Sequence, residues 1–259
     1  MYININETIT IKYKMRLLKY PTSLIMGKNN YIESGVKISK NVIIGNNNKI
    51  HDGTVIYPNT TIGNNNIILN NNILGEHPVN SSETFVDKTF GGLTIGHNNF
   101  LHVNNLIFSG HSGKTRIENN NKLLGESHIG HDVHIHNNVN IYTRGMLCGY
   151  VKMLDYSGVG VSAVIHQKKI IGNYSFIGMN NTILKNIFPF FININHTYSQ
   201  LNIHRLMQEP QLLVNLTVYK HILDEICVHY QNKTLDILLY KHILPNNIYD
   251  IINNYLSYE

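Results

Sequence analysis

Aliphatic side chains recur at every sixth position through most of this chain: Met26, Ile32, Ile38, Ile44, Ile50, Ile56, Ile62, Ile68 and Leu74. The register breaks, resumes at Ile95, Leu101 and Ile107, and shifts by four residues. It then runs without a miss from Ile117 through Leu123, Ile129, Ile135, Ile141, Leu147, Met153, Val159, Ile165, Ile171 and Ile177 to Ile183. If roughly a third of positions are Ile, Leu, Val or Met, that last run arises by chance on the order of once in a million. A period of six is neither helical nor simply alternating. It suits short strands joined by tight turns, three to a coil of about eighteen residues, stacked as a parallel solenoid.

Four residues after each aliphatic, small or β-branched side chains are common, among them Val36, Val42, Thr54, Thr60, Ser127, Val133, Val139, Gly145, Val151, Ser157, Ala163 and Ser175. These are expected to fill the corners. Gly and Asn in segments such as IIGNNN, TIGNNN, TIGHNN and FIGMNN supply the left-handed backbone that tight turns need. The interruptions at 75–94 and 108–116 read as loops leaving a regular prism, and such loops carry function more often than the coils they leave. The hexad pattern stops after Pro189. From Asn202 to Glu259 the spacing of Leu212, Leu216, Tyr219, Ile222, Leu223 and Ile226, with Pro210 and Pro245 as punctuation, predicts helices. The expected organisation is an N-terminal segment over 1–24, a solenoid over 25–190 and a helical domain over 191–259.

Composition narrows the function classes. The 259 residues carry a formal net charge of +5, contributed by lysines spread thinly among many asparagines. No block of like charge marks a nucleic-acid site. The two cysteines, Cys148 and Cys227, have no metal or redox spacing, which fits a reducing, cytoplasmic setting. The stretch from Ile187 to Ile194 is too short to span a bilayer and contains Pro189, so neither a signal peptide nor a membrane helix is expected. The abundance of Asn and Ile has the look of an AT-rich coding bias, and Asn content by itself is not read as function.

Position in the repeat sorts the fifteen histidines. If Ile129 points into the prism, His131 points out, where it fills no core. Asp132 follows and is able to orient the imidazole. One coil of about eighteen residues above His131 lies Gly149, whose backbone N–H, with no side chain in the way, could face a developing oxyanion. A base and a donor one rung apart are what acyl transfer requires. An ordinary surface His–Asp pair is the bland alternative.

At these residues the sequence resembles the UDP-N-acetylglucosamine acyltransferases that begin lipid A synthesis. The segment GESHIGHDVHIHNNVNIYTRGMLCGYV, followed by AVIHQKKIIGN, is similar to that family's His-Ile-Ala-His-Asp, Leu-Ala-Gly-His and Ala-Val-His-Gln, with unchanged spacing. NIFPFF, followed by an Asn-His pair and LNIHRL, extends the likeness, which covers roughly 25–206. The resemblance implies a left-handed parallel β-helix with a C-terminal helical domain, against the usual right-handed crossover rule. It also implies a homotrimer with its sites in the grooves between chains. By resemblance His131 is the general base, Asp132 its neighbour and Gly149 the oxyanion donor, while His128, Tyr150, His166, Gln167, Met179, His196 and Asn202 contact substrate. The implied reaction moves an acyl group from an acyl-carrier protein or coenzyme A thioester to a hydroxyl or amine of a nucleotide-linked amino sugar. No bound cofactor and no metal are implied.

The chain departs from the family at several positions. Tyr150 stands where the family has a second His. The sugar-holding Asp and Lys correspond to the region of Asn80 and Ser82, in a longer loop, and His111 and Lys88 are the candidates to compensate for a phosphate or acyl-carrier contact weakened at Gln208 and Glu209. Gln208 and Glu209 replace paired arginines, and Met179 replaces a glycine that leaves room for a long acyl tail, which favours a shorter chain. Three rival readings share the solenoid. An acetyl-coenzyme A-dependent aminosugar N-acetyltransferase needs no acyl ruler. A zinc enzyme of the γ-carbonic anhydrase type needs three histidines between subunits, but the pairs His97 with His102 and His131 with His136 lack a third. A non-catalytic trimeric scaffold is favoured only if the departures mark a decayed site.

Overall fold

The structure, a computed structural model, describes residues 23–78, 91–111, 113–194 and 197–258. Three parallel sheets form the faces of a prism, and successive strands visit them in strict rotation. Sheet A holds eight strands from Ile25–Met26 to Ile170–Ile171, and sheet C eight from Lys37–Ile38 to Thr182–Ile183. Sheet B holds ten, starting at Tyr31–Ile32. Ile117 pairs with Ile135, Ile135 with Met153, and Met153 with Ile171, so each hexad aliphatic stands directly on the one a coil below. The hexad residues from Ile44 to Ile177 are fully buried and make one continuous core along the axis. Each contributes about 1.5–3 kcal/mol of apolar burial, set against the entropy of ordering the coil.

The corners repeat as regularly as the strands. Three residues after most of the inward aliphatics the backbone is left-handed, as at Asn29, Asn47, Asn65, Asn98, Asn120 and Asn138. Asn tolerates this conformation better than most side chains. The glycine of the IIGNNN-type segments has a different use from the one its position suggests. Gly45 does not carry the positive φ, and a Cβ there would sit 2.5 Å from the Gly63 carbonyl oxygen of the next coil. Close stacking of coils at that corner therefore requires it.

Asn also has a structural role that composition hides. At one corner Asn48, Asn66, Asn99 and Asn121 are buried in a column. The Asn66 Oδ1 accepts from the Asn99 backbone N–H at 2.9 Å and from its Nδ2 at 3.1 Å, while the Asn66 Nδ2 donates to the Gly96 carbonyl at 2.9 Å. Each amide satisfies backbone groups that the corner would otherwise leave dry.

Past the coils the chain continues sheet B through Phe191–Ile194, which pairs with Phe176–Ile177 and turns back as the antiparallel strand Thr197–Leu201. The hexad count does not anticipate this hairpin, because its alternation has period two. Helices α1 (Ile203–Leu206), α2 (Pro210–Val218), α3 (Lys220–Gln231) and α4 (Asn246–Leu256) follow. Pro210 occupies the first turn of α2 and Pro245 immediately precedes α4, positions where a missing N–H costs nothing. The helices bury Leu212, Leu216, Leu223, Ile226, Ile248 and Ile252 against Phe188 and Phe190. Arg205 fastens this unit to the prism by donating to the carbonyls of Tyr156, at 3.1 Å, and Asn138. Among the described residues no helix is long and apolar enough to cross a membrane.

Candidate active site

Both insertions leave the prism at the same corner, between sheets C and A. The first follows the sheet C strand Ile73–Glu76 and the second follows Leu106–Phe108, one coil higher. Their bases are tied together. Ser109 N donates to the Glu76 carbonyl at 2.8 Å, Gly91 N to the Gly110 carbonyl at 3.0 Å and Gly110 N to the Gly92 carbonyl at 2.9 Å. Glycine is required where these backbones cross, since a Cβ on Gly91 would lie 1.4 Å from the Gly113 carbonyl oxygen. The next rungs at this corner carry His131, then Gly149, then Gln167, each two residues past an inward aliphatic of sheet C.

The second insertion reaches up and holds Asp132. The Oδ2 of Asp132 accepts from the His111 backbone N–H at 2.8 Å, and Oδ1 accepts from Gly113 N–H at 2.6 Å. Oδ2 is also 2.9 Å from His131 Nδ1. A carboxylate only accepts hydrogen bonds, so Nδ1 carries a proton, and in the neutral tautomer that this selects the lone pair is on Nε2. The Asp132 side chain is almost buried and that of His131 is 32% exposed, so the imidazole is partly open to solvent while its anchor is not. Asp132 adopts the left-handed corner conformation, with φ of 57°, which turns its short side chain back toward the preceding residue.

Gly149 fits against the ring. A Cβ at this position would stand 2.7 Å from both Nε2 and Cε1 of His131. Any larger residue would displace the imidazole. The Gly149 N–H makes no hydrogen bond within the described residues, while its carbonyl accepts from Lys168 N at 2.9 Å. Tyr150 meets the His131 ring edge-to-face with centroids 5.0 Å apart, and Lys168 Nζ lies 5.9 Å from the Tyr150 centroid. The His111 ring lies 6.1 Å from that of His131. His166 and Gln167 stand on the coil above, at the same corner. His128 projects from sheet C beside Phe108, centroids 5.1 Å apart, and burial holds its imidazole below the ordinary value.

The remaining residues singled out by resemblance lie elsewhere on the chain. Met179 is 68% exposed at the corner between sheets B and C. Asn202 is buried, and its Nδ2 donates to the Tyr174 carbonyl at 2.9 Å, tying the helical unit to the coils. Glu209 sits beside the Tyr156 hydroxyl at 3.5 Å. His196, Asn80, Ser82 and Lys88 lie outside the described residues. Among the described residues no group of three His, Cys, Asp or Glu converges in a way that would hold a metal ion.

The backbone clamp from His111 and Gly113 has no side-chain signature and was invisible in the sequence; the only pointer to it was the insertion itself. A second feature also went unread. A groove of about 310 Å³ adjoins the site on the sheet A side, lined by Gly113, Lys114, Arg116, Asp132, His134, Tyr150 and Lys152.

Known proteins resemble the chain at two levels. Residues 41–76 match the bacterial transferase hexapeptide family (six repeats). The acyl-[acyl-carrier-protein]–UDP-N-acetylglucosamine O-acyltransferase of Nautilia profundicola is 38% identical over 129 residues, 48% of this chain and 50% of that protein. The chain thus spans about half the length of the curated relatives it matches. In three dimensions, the UDP-N-acetylglucosamine acyltransferase of Bacteroides fragilis superposes with a TM-score of 0.78 at 25% identity, covering 92% of this chain and 94% of that one. The enzyme of Campylobacter jejuni gives 0.77 at 22% identity, covering 92% and 95%, and speaks for the fold alone. The chain is therefore a left-handed parallel β-helix of hexapeptide repeats that resembles the UDP-N-acetylglucosamine acyltransferases in sequence and in architecture.

Proposed function

We propose that this protein is an acyltransferase that moves an acyl group from an acyl-carrier protein or coenzyme A thioester to a hydroxyl of a nucleotide-linked amino sugar. The observation that carries this reading is the His131–Asp132 pair, held by two backbone N–H groups and packed directly on Gly149. The Nε2 of His131 takes the proton of the acceptor hydroxyl as its oxygen attacks the thioester carbonyl. The Gly149 N–H donates to the oxyanion that forms. Collapse of that intermediate breaks the C–S bond, and the imidazolium returns its proton to the departing thiolate, so the base ends as it began. Asp132 steadies the imidazolium between these two events.

The working unit in this reading is a closed homotrimer. Its support is the outward column of sheet C, where Val55, Ile73, Leu106, Met146 and Val164 present partly exposed aliphatic surface on a flat face. A panel of acyl-carrier and coenzyme A thioesters of increasing length, offered with UDP-, dTDP- and free amino sugars, tests the reading by mass spectrometry of the products. Transfer to a nucleotide sugar is the expected result. Transfer only to a free aminosugar from acetyl-coenzyme A favours the acetyltransferase instead, and no transfer from any donor by a folded trimer contradicts both.

A further inference from the structure

We infer that the groove beside the His131 corner is a phosphate-binding site, built for the phosphate-bearing arm of a substrate. This inference rests on the acyltransferase reading for its biological sense, but the groove's chemistry is argued from its own residues. Sheet A stacks Arg116, His134 and Lys152 in register, one per coil, as outward neighbours. Lys114 approaches from the end of the second insertion, so three permanent cations and a histidine line one depression of about 310 Å³. Neither Lys114 nor Arg116 has a carboxylate partner among the described residues. Lys152 Nζ stands 4.9 Å from the centroid of the Tyr258 ring, a contact that positions the ammonium without neutralising it.

The acidic groups nearby are already engaged. Asp132 spends both oxygens on His131, His111 and Gly113, and Glu118 lies 2.9 Å from His134 Nε2. The lining is therefore net positive, and two of its members, Asp132 and Tyr150, also touch the proposed base His131. An Arg fork with two flanking lysines recognises a phosphate ester or diphosphate better than a carboxylate, because such a group presents several charged oxygens at once.

Two sources share this chemistry, the diphosphate of a nucleotide sugar and the phosphates of a coenzyme A or phosphopantetheine arm. The test is calorimetric titration of the full chain with inorganic pyrophosphate, UDP and coenzyme A, for the wild type and for Arg116→Gln, Lys152→Gln and the triple variant with Lys114→Gln added. Each single change should weaken pyrophosphate binding about tenfold, the usual effect of losing one charge-assisted contact, and the triple variant should abolish it. The wild-type affinity should also fall steeply with added salt. Loss of UDP binding with coenzyme A binding retained assigns the groove to the nucleotide, the reverse assigns it to the acyl donor, and loss of both supports the shared site. Pyrophosphate affinity unchanged in the folded triple variant, or no wild-type binding at low salt, overturns the inference. Because this readout needs no turnover, pyrophosphate binding that responds to the variants stands even if no transfer activity is found.

Discussion

Replacing Gly149 by alanine adds a single methyl group to the molecule, and the structure says where it lands. The new Cβ would stand 2.7 Å from Nε2 and Cε1 of His131, whereas ordinary contact begins at 3.4 Å, so the ring must withdraw by about 0.7 Å. The ring is held by the 2.9 Å bond from Nδ1 to Asp132, and a shift of that size along the bond carries it out of hydrogen-bonding range. The imidazole then loses both its position and the group that fixes its tautomer. A displacement approaching 1 Å at a reacting centre costs about a hundredfold in rate. The fold should not register the change, because His131 is a third exposed and contributes nothing to the axial core. The experiment is steady-state kcat/KM for the transfer reaction beside a thermal melt of the same preparation. A fall of about a hundredfold with an unchanged melting temperature is the expected result. Wild-type kcat/KM in Gly149→Ala would refute the idea that ring and glycine form one catalytic unit.

Other expectations concern stability. Asn66→Ala removes the acceptor of the Asn99 backbone N–H and the donor to Gly96 in a dry corner, which should cost about 2–4 kcal/mol in urea unfolding; a loss below about 0.5 kcal/mol would mean that the column is not a stabilising ladder. Burial holds His128 and His136 below the ordinary imidazole value of 6.5. As the pH falls below that value the unfolded chain binds protons that the native chain refuses. Their contribution is therefore fully present above 6.5 and lost as the pH drops toward their depressed native values. The urea midpoint should be lower at about pH 5.5 than at about pH 7.5, and the pair His128→Gln and His136→Gln should flatten that difference; an unchanged slope would contradict it. Sedimentation at micromolar concentration should give the mass of three chains, and the mass of one would remove the sheet C column as an interface.

Much of the fold was legible because a solenoid writes its core into the chain at a fixed interval. Ile129 and Leu147 are read as inward from the count alone, and the outward positions of His131 and Gly149 follow from it. What the count could not show was which corner each interruption leaves. Both insertions emerge where sheet C passes to sheet A, and only stacking reveals that the second lies directly beneath Asp132. The clamp on that carboxylate is made of backbone N–H groups, which any sequence supplies. For Asn202, which resemblance marks as a substrate contact, the structure adds a second role: it is buried and its Nδ2 donates to the Tyr174 carbonyl. The groove cations were readable in principle, since Arg116, His134 and Lys152 recur at the coil interval, but charge counted along the chain looks dilute where charge counted up a column does not. The buried asparagines form a column in the same way, visible in the stack and not in the count.

The reaction proposed for this corner stands or falls with one side chain. His131→Ala should leave the coils intact, because the ring lies outside the core, and should remove an imidazole held by Asp132 and set against Gly149, whose N–H makes no hydrogen bond among the described residues. Measured with a thioester donor and an acceptor sugar that the wild type uses, kcat/KM should fall by about a hundredfold or more, the range for loss of a general base. Turnover close to that of the wild type, from a His131→Ala protein with native circular dichroism and native mass, would show that the acceptor is deprotonated elsewhere.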